Sequence, residues 1–381
     1  MYGYMDHLCQ QFYRCTDWNE DNSYANVIET ARNLIDFDIP DGASLIVSSQ
    51  SSKNSFTSYT LSNLGMVNGS VAYLYSSRPL TTIEPSREIP LQELVSSYRI
   101  LKPLNPPPDP IFWQQWHAGV RVDRKDTLLY GRLFLPGNSL EALLVRRLSP
   151  KSQLLVTCVS DNQIKNKGAI TFNLQRDNGK WRNEIIYSTY ESLIGYRGMY
   201  NIGFEESPSS STNRSKVSPP VSRLAFGLEV FYGIASKSPG FSTAMRYTTQ
   251  SAYTGTPLTL TLMSNPLMGH ISATYAVRTT NASSFASRFD FNVYSYISDL
   301  SIGCEIWRKG AISSAVNSVE PPLPTDFSGV FKASTSLNSR KLRLLWEGRY
   351  KEILISTGAG ISLSPRTPLA TSVGIELQYS S

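Results

Sequence analysis

Leu258-Thr-Leu-Thr-Leu262 is followed by Ile271-Ser-Ala-Thr-Tyr-Ala-Val277, then Phe289-Asp-Phe-Asn-Val293 and Leu300-Ser-Ile-Gly-Cys-Glu-Ile306. Within each of these four runs an apolar side chain takes every second position, with a small or polar one between. A period of two belongs to the β-strand, whose successive side chains leave opposite faces. Outward from this stretch the pattern persists. Upstream it runs through Val67, Val71, Tyr73 and Tyr75, through Ile170, Phe172 and Leu174, and through Phe226, Leu228 and Val230. Downstream it runs through Leu342, Leu344 and Trp346, a Ser/Thr/Gly-rich strand around 353–364, and Val373, Ile375, Leu377 and Tyr379. Asp177-Asn178-Gly179 reads as a hairpin turn, since Asn-Gly accepts the positive φ such turns need.

Composition narrows the class. Charged residues make up 17% of the chain and aromatics 11%, a profile poorer in charge than the usual ~25% of soluble domains. The net charge is +6, but the basic residues are dispersed. Arg146-Arg147 and Arg340-Lys341-x-Arg343 are the densest groups, so no nucleic-acid footprint is expected. Residues 1–15 carry neither a basic start nor an apolar core of secretory type, which predicts synthesis in the cytosol and residence inside the cell or an organelle. On that expectation the sequons at Asn68, Asn213 and Asn281 are chance matches. Cys9, Cys15, Cys158 and Cys304 form no C-x-x-C pair, and His7, His117 and His270 are isolated, so neither a metal nor a cofactor is expected. No triad or carboxylate pair calls for an enzyme.

No window of about 20 apolar residues is present, so a spanning helix is excluded. A closed barrel crosses a bilayer differently, on strands of about ten residues that alternate between lipid and lumen. A soluble β-sandwich also alternates. Against it stand the length over which strands continue without a covering helix and the scarcity of charge in the turns. The strand pattern is interrupted near 79–110, 205–220 and 308–326. Without these insertions and the first 40 residues, roughly 270 remain, which at about 14 per strand and turn predicts ~19 strands. The division expected is an N-terminal segment, 1–42, and an all-β transmembrane barrel, 43–381. Within the N-terminal segment Tyr24, Val27, Ile28, Ala31, Leu34 and Ile35 predict a helix starting at Asn22 and ended by Pro40-Asp41-Gly42. A short amphipathic helix after Pro90 is expected outside the membrane.

Specific motifs carry a family resemblance. Tyr4-Met-Asp with Phe12-Tyr13, Leu34-x-Asp-Phe37-x-Ile-Pro40 and Val67-Asn-Gly-Ser-x-x-Tyr73-Leu-Tyr75-Ser open the chain. Thr254-Gly-x-Pro-Leu-Thr-Leu-Thr-Leu262, Asn265-Pro-Leu-x-Gly-His-Ile271 and Leu344-Leu-Trp-Glu-Gly348 follow. Together they resemble the fungal mitochondrial distribution and morphology protein 10 family, over both ends and most of the middle. The resemblance implies a porin-like barrel of the mitochondrial outer membrane, similar to the voltage-dependent anion channel, with an N-terminal helix in its lumen. It implies two roles. One is anchoring the ER–mitochondria encounter structure, a tether that includes lipid-transfer proteins. The other is joining the sorting and assembly machinery, with its core barrel and cytosolic-side subunits, in late assembly of other outer-membrane barrels.

Residue roles follow from the same resemblance. Tyr73 and Tyr75 resemble an aromatic pair at the tether-binding edge; two girdle tyrosines are the competing reading. Phe289 and Phe291 pack against the assembly machinery's barrel or simply touch lipid. Ser372, Gly374, Leu377 and Tyr379 resemble the β-signal by which barrel precursors are recognised; an ordinary closing strand is the alternative. Membrane lipid is the remaining expected partner. The runner-up function is a metabolite channel, for which inward Arg278, Arg288, Asp290 and Glu305 would suit a polar lumen.

Overall fold

A computed structural model describes residues 1–64, 66–80, 89–101, 104, 116–121, 125–161, 168–202, 221–250, 256–309, 327–362 and 370–380. The barrel strands are β1 Gly42–Ser52, β2 Ser55–Leu64, β3 Met66–Ser76, β4 Thr127–Leu135, β5 Leu140–Ser149, β6 Ser152–Ser160 and β7 Ala169–Asp177. They continue as β8 Trp181–Ser188, β9 Leu193–Ile202, β10 Val221–Gly233, β11 Ser238–Gln250, β12 Leu258–Asn265 and β13 His270–Thr280. The last are β14 Ser283–Asn292, β15 Ser298–Lys309, β16 Phe327–Ser336, β17 Lys341–Tyr350, β18 Ile353–Ser362 and β19 Ala370–Ser380. Each pairs antiparallel with its sequence neighbours, and together they form one 19-stranded sheet. With an odd number of strands the first and last run the same way. The sheet closes by a parallel seam in register from Gly42 opposite Gly374 to Ser48 opposite Ser380.

Closure leaves no unpaired edge, the condition for a sheet in hydrocarbon. The burial pattern is inverted relative to a soluble protein. Leu45, Tyr59, Leu61, Tyr196, Leu262, Tyr275 and Trp346 are exposed on the outer wall. Gln153, Asn173, Glu184, Asn201, Thr261, Ser301, Glu305, Lys332 and Glu347 are buried inside. An apolar exterior around a polar interior is stable in lipid and would associate in water, which rules out the soluble sandwich. Among the described residues no helix is long and apolar enough to cross a membrane; the strands do so.

Because strand direction alternates, the ends of the barrel differ. The connections across 77–126, 203–220 and 310–326 all open at the end where β3 finishes and β4 begins, called here the insertion end. The opposite end carries short turns such as 136–139, 266–269 and 293–297. The predicted insertion at 205–220 lies outside the described residues, as do 81–88, 102–103 and 105–110 of the first and 310–326 of the third.

The N-terminal segment departs from the predicted single helix. It forms α1 (Tyr4–Cys15), 3-10 turns at Glu20–Asn22 and Tyr24–Asn26, and α2 (Glu29–Ile35). The helix expected from Asn22 is broken because Asn22, Ser23 and Tyr24 spend their side chains on the wall, and polar side chains with such partners compete with helical backbone. Ser23 also accepts from the Ala25 amide at 3.3 Å. The third helix, the single turn Leu91–Leu94, is a second correction. Leu91 and Leu94 are buried in one cluster with α1 residues Leu8 and Phe12, so this turn sits in the lumen and not outside the membrane. Its apolar side chains gain more by covering α1 than by facing water.

A filled lumen and the candidate interaction surfaces

Residues 1–41 and 89–101 occupy the lumen through two kinds of contact. One sector of the inner wall breaks the polar pattern with Phe56, Leu74, Leu128 and Val145, all fully buried. Against it lie Leu8 and Phe12 of α1, each burial stabilising by roughly 1.5–3 kcal/mol. The sequence reading missed α1, although Tyr4, Leu8 and Phe12 stand at the four-residue spacing that signals one helical face.

Elsewhere the contacts are polar. Asn22 donates through Nδ2 to Asp177 Oδ1 at 2.9 Å and to the Gly179 carbonyl at 3.1 Å, while Asn201 Nδ2 donates to Asn22 Oδ1 at 2.7 Å. Ser23 donates to Glu184 at 2.8 Å, and the Tyr24 and Ser242 hydroxyls lie 2.6 Å apart. Arg182 donates to the Asn19 carbonyl at 2.7 Å and Arg246 to the Asp21 carbonyl at 3.0 Å. The Trp18 ring lies under the guanidinium groups of Arg147 and Arg182, at 4.3 and 5.1 Å. At the end of α2, Asp36 bridges Arg288 of β14 and Arg343 of β17. Glu305 pairs with the Trp307 indole. Of the four inward charges that would suit an open pore, Arg288 is engaged by the segment itself, Asp290 by Arg288 and Glu305 by a wall neighbour, while Arg278 donates to the Asn281 carbonyl at 3.1 Å.

The segment 89–101 locks the arrangement from the other side. Lys332 Nζ donates to the Ser96 carbonyl at 2.6 Å and lies 3.3 Å from Glu347, which also meets the Met1 amino group. Arg99 reaches Asp21 at 2.6 Å and Glu29 at 2.9 Å, and Arg14 of α1 reaches Glu93 at 2.9 Å. Packing is close enough to require glycine in the wall. A Cβ at Gly303 would fall on the Leu34 carbonyl, and one at Gly227 would come within 2.5 Å of the Tyr24 ring. Burial within this assembly pushes the Glu20 carboxyl up to about 7, against the pull of nearby Arg99. It also lowers the His7 pKa, which favours the neutral ring. Cavities of about 280 and 330 Å³ remain among these segments.

The sequence-predicted residues fall on the outer wall and at the seam. Tyr73 and Tyr75 of β3 face outward, 50% and 39% exposed, close to the insertion end. Phe289 of β14 is 47% exposed, while Phe291 is half-buried with its ring edge-on to Tyr296 at 6.5 Å. This second pair lies beside the 293–297 turn, at the opposite end of the barrel. Strands β3 and β14 stand eight places apart one way round the sheet and eleven the other. The two aromatic pairs therefore face nearly opposite directions and form no single site.

Ser372, Gly374, Leu377 and Tyr379 lie on the closing strand, with Tyr379 exposed outward and Leu377 half-buried. Gly374 faces Gly42 across the parallel seam, where a Cβ would come within 2.6 Å of the Pro40 carbonyl oxygen. Glycine is thus required by the closing seam itself.

Fold, seam and lumen together define a transmembrane β-barrel filled by its own chain. The family model described as "Mitochondrial distribution and morphology protein 10" matches residues 1–324 and 316–381. Curated proteins of that name are similar over the full chain. The one from Phaeosphaeria nodorum is 46% identical, covering all of both chains, and the one from Yarrowia lipolytica 45%, covering all of this chain and 99% of the relative. The protein from Sclerotinia sclerotiorum is 43% identical, again over the whole of both. The chain belongs to the mitochondrial distribution and morphology protein 10 family. It is a mitochondrial β-barrel protein with a role in mitochondrial distribution and morphology.

Proposed function

We propose that this protein is a non-enzymatic scaffold of the mitochondrial outer membrane with two assignments. It anchors the ER–mitochondria encounter structure, whose subunits include lipid-transfer tether proteins. In the sorting and assembly machinery it contacts the core barrel and cytosolic-side subunits and promotes late assembly of other outer-membrane β-barrels. The observation that carries this reading is the filled lumen. A barrel whose interior is crossed by residues 1–41 and 89–101, held through Asn22, Asp36, Arg99 and Lys332, offers its wall and rims as working surfaces. Tyr73 and Tyr75 are the tether-side contact, and Phe289 and Phe291 the assembly-side contact. Their placement on opposite walls and ends supports separate partners.

The test is affinity purification of the tagged protein from mitochondria in mild detergent, resolved on native gels with partners identified by mass spectrometry. Two assemblies are expected, one with tether proteins and one with the barrel-assembly machinery. Tyr73→Leu/Tyr75→Leu, which keeps the wall apolar, should deplete the first and spare the second. Phe289→Leu/Phe291→Leu should do the converse. A partner-free oligomer with a large, stable planar-bilayer conductance would overturn the scaffold in favour of a metabolite channel.

A further inference from the structure

The outer wall carries a trough with a basic mouth, and we infer that it holds a single glycerophospholipid, phosphate at Arg176 and Lys180 and one acyl chain along the wall. The register defines the trough. One outward row across β7 to β12 runs Arg176, Asn183, Gly198, Leu228, Thr243, Ser264. Apart from the arginine and Leu228 these side chains are small or short and polar. The row beside it is bulky: Trp181, Tyr200, Phe226, Met245, Leu262. A low row beside a high one leaves a groove of about 530 Å³ from Trp181 and Asn183 to Leu262 and Ser264, lined mainly by apolar surface, with Arg176 and Lys180 standing beyond its upper end.

Position selects the occupant. The groove opens on the apolar exterior, where the surrounding medium is lipid and not water. Strand spacing of ~4.8 Å puts Arg176 and Ser264 roughly 24 Å apart, across five strand intervals, the last four of them along the groove. Arg176 is next to last in β7 and Ser264 next to last in β12. Since those strands run in opposite directions, the trough descends from the insertion end to the turn end, following the direction a lipid chain takes. Its upper mouth is built for a phosphate. Arg176 faces outward and is exposed, with no ion pair among the described residues. Lys180, exposed in the 178–180 turn, holds its ammonium 5.6 Å from the Tyr200 ring centroid, and that ring lies 4.3 Å from the Trp181 ring. Lys180 beside a phenol and an indole at the rim, with Arg176 outward on the adjoining strand opposite Asn183, suits an anionic headgroup oxygen and the glycerol beneath it. A cation on a lipid-facing strand is otherwise costly. At Asn183 the floor amide oxygen accepts from the Tyr196 hydroxyl at 2.9 Å, and that phenol lies against Gly198, so the floor there is partly satisfied under hydrocarbon.

The inference needs only a lipid-facing wall and is independent of the scaffold reading. Its test uses the full chain in phosphatidylcholine vesicles containing a trace of phosphatidylcholine with a diazirine on one acyl chain. After illumination, adducts are mapped by mass spectrometry. The expected result is labelling concentrated on the peptides bearing Gly198, Leu228 and Thr243. It should fall about tenfold, the equivalent of one charge-assisted contact, in Arg176→Gln/Lys180→Gln. It should fall as far in Thr243→Phe, which fills the trough and leaves both charges. Arg146→Gln, a basic rim residue two strands away, should change nothing. Adducts spread evenly around the wall and indifferent to these variants would overturn the inference. So would labelling in vesicles that vanishes in mitochondrial membranes, since a protein would then cover this face.

Discussion

Asn22→Ala isolates what holds the N-terminal segment in the lumen. The side chain makes three buried hydrogen bonds, to Asp177, to the Gly179 carbonyl and from Asn201. The bond to the carboxylate is worth roughly 1.5–3 kcal/mol and the two neutral ones about 1 each. The partners do not end up orphaned. Asp177 Oδ1 keeps the Gly179 amide at 2.7 Å, and Asn201 keeps the Gly179 carbonyl at 3.1 Å. That lowers the expected loss to ~3 kcal/mol, about a hundredfold in the equilibrium between docked and released segment. Amide hydrogen exchange on the protein in lipid nanodiscs reads this directly. Protection of residues 20–26 should fall about a hundredfold, with β13 to β15 unchanged, because local opening and barrel unfolding are distinct events. Protection within threefold of wild type at residues 20–26 would refute the reasoning, since the network would then not hold the segment.

Three further outcomes follow from the geometry. Burial raises Glu20 to about 7, and a folded value above the unfolded one means its contribution is complete below about 4.5 and lost as pH rises towards and through 7. Exchange at residues 19–35 should therefore be slower, after correction for intrinsic rates, at pH 5 than at pH 8, and Glu20→Gln should flatten that difference. Gly303→Val puts a side chain on the Leu34 carbonyl, which should destabilise docking of α2 by about 1–3 kcal/mol. Limited proteolysis should then cut within residues 28–41 with little change in the melting of the barrel. Gly374→Ile crowds the Pro40 and Gly42 carbonyls at the closing seam. The folded form on cold, unheated gels should be depleted, while Val373→Ile, on the lipid face of the same strand, should leave it intact.

Much of the architecture is legible in single strands. Leu258 to Leu262 states which side chains share one face before any partner strand is known, because successive side chains of a strand leave opposite faces. The strand total follows from length once the insertions are set aside. The candidate surfaces were legible only as residues. Tyr73 and Phe289 read alike in sequence, as outward aromatics near strand ends, and nothing local says that one sits at the insertion end and the other at the far end of an opposite wall.

The sequence by itself determined the alternation, the absence of an apolar helix, the ~19 strands and the closing strand from Ser372 to Tyr379, all properties of short range or of simple sums. Tertiary structure decided what fills the barrel. Residues 89–101 enter the lumen because Leu91 and Leu94 cover α1 and Ser96 satisfies Lys332. The helix expected from Asn22 breaks because Asp177, Glu184 and Ser242 wait on strands that lie far away in sequence. Such contacts depend on the register in which distant strands close around the segment, and that register exists only once the sheet has met itself.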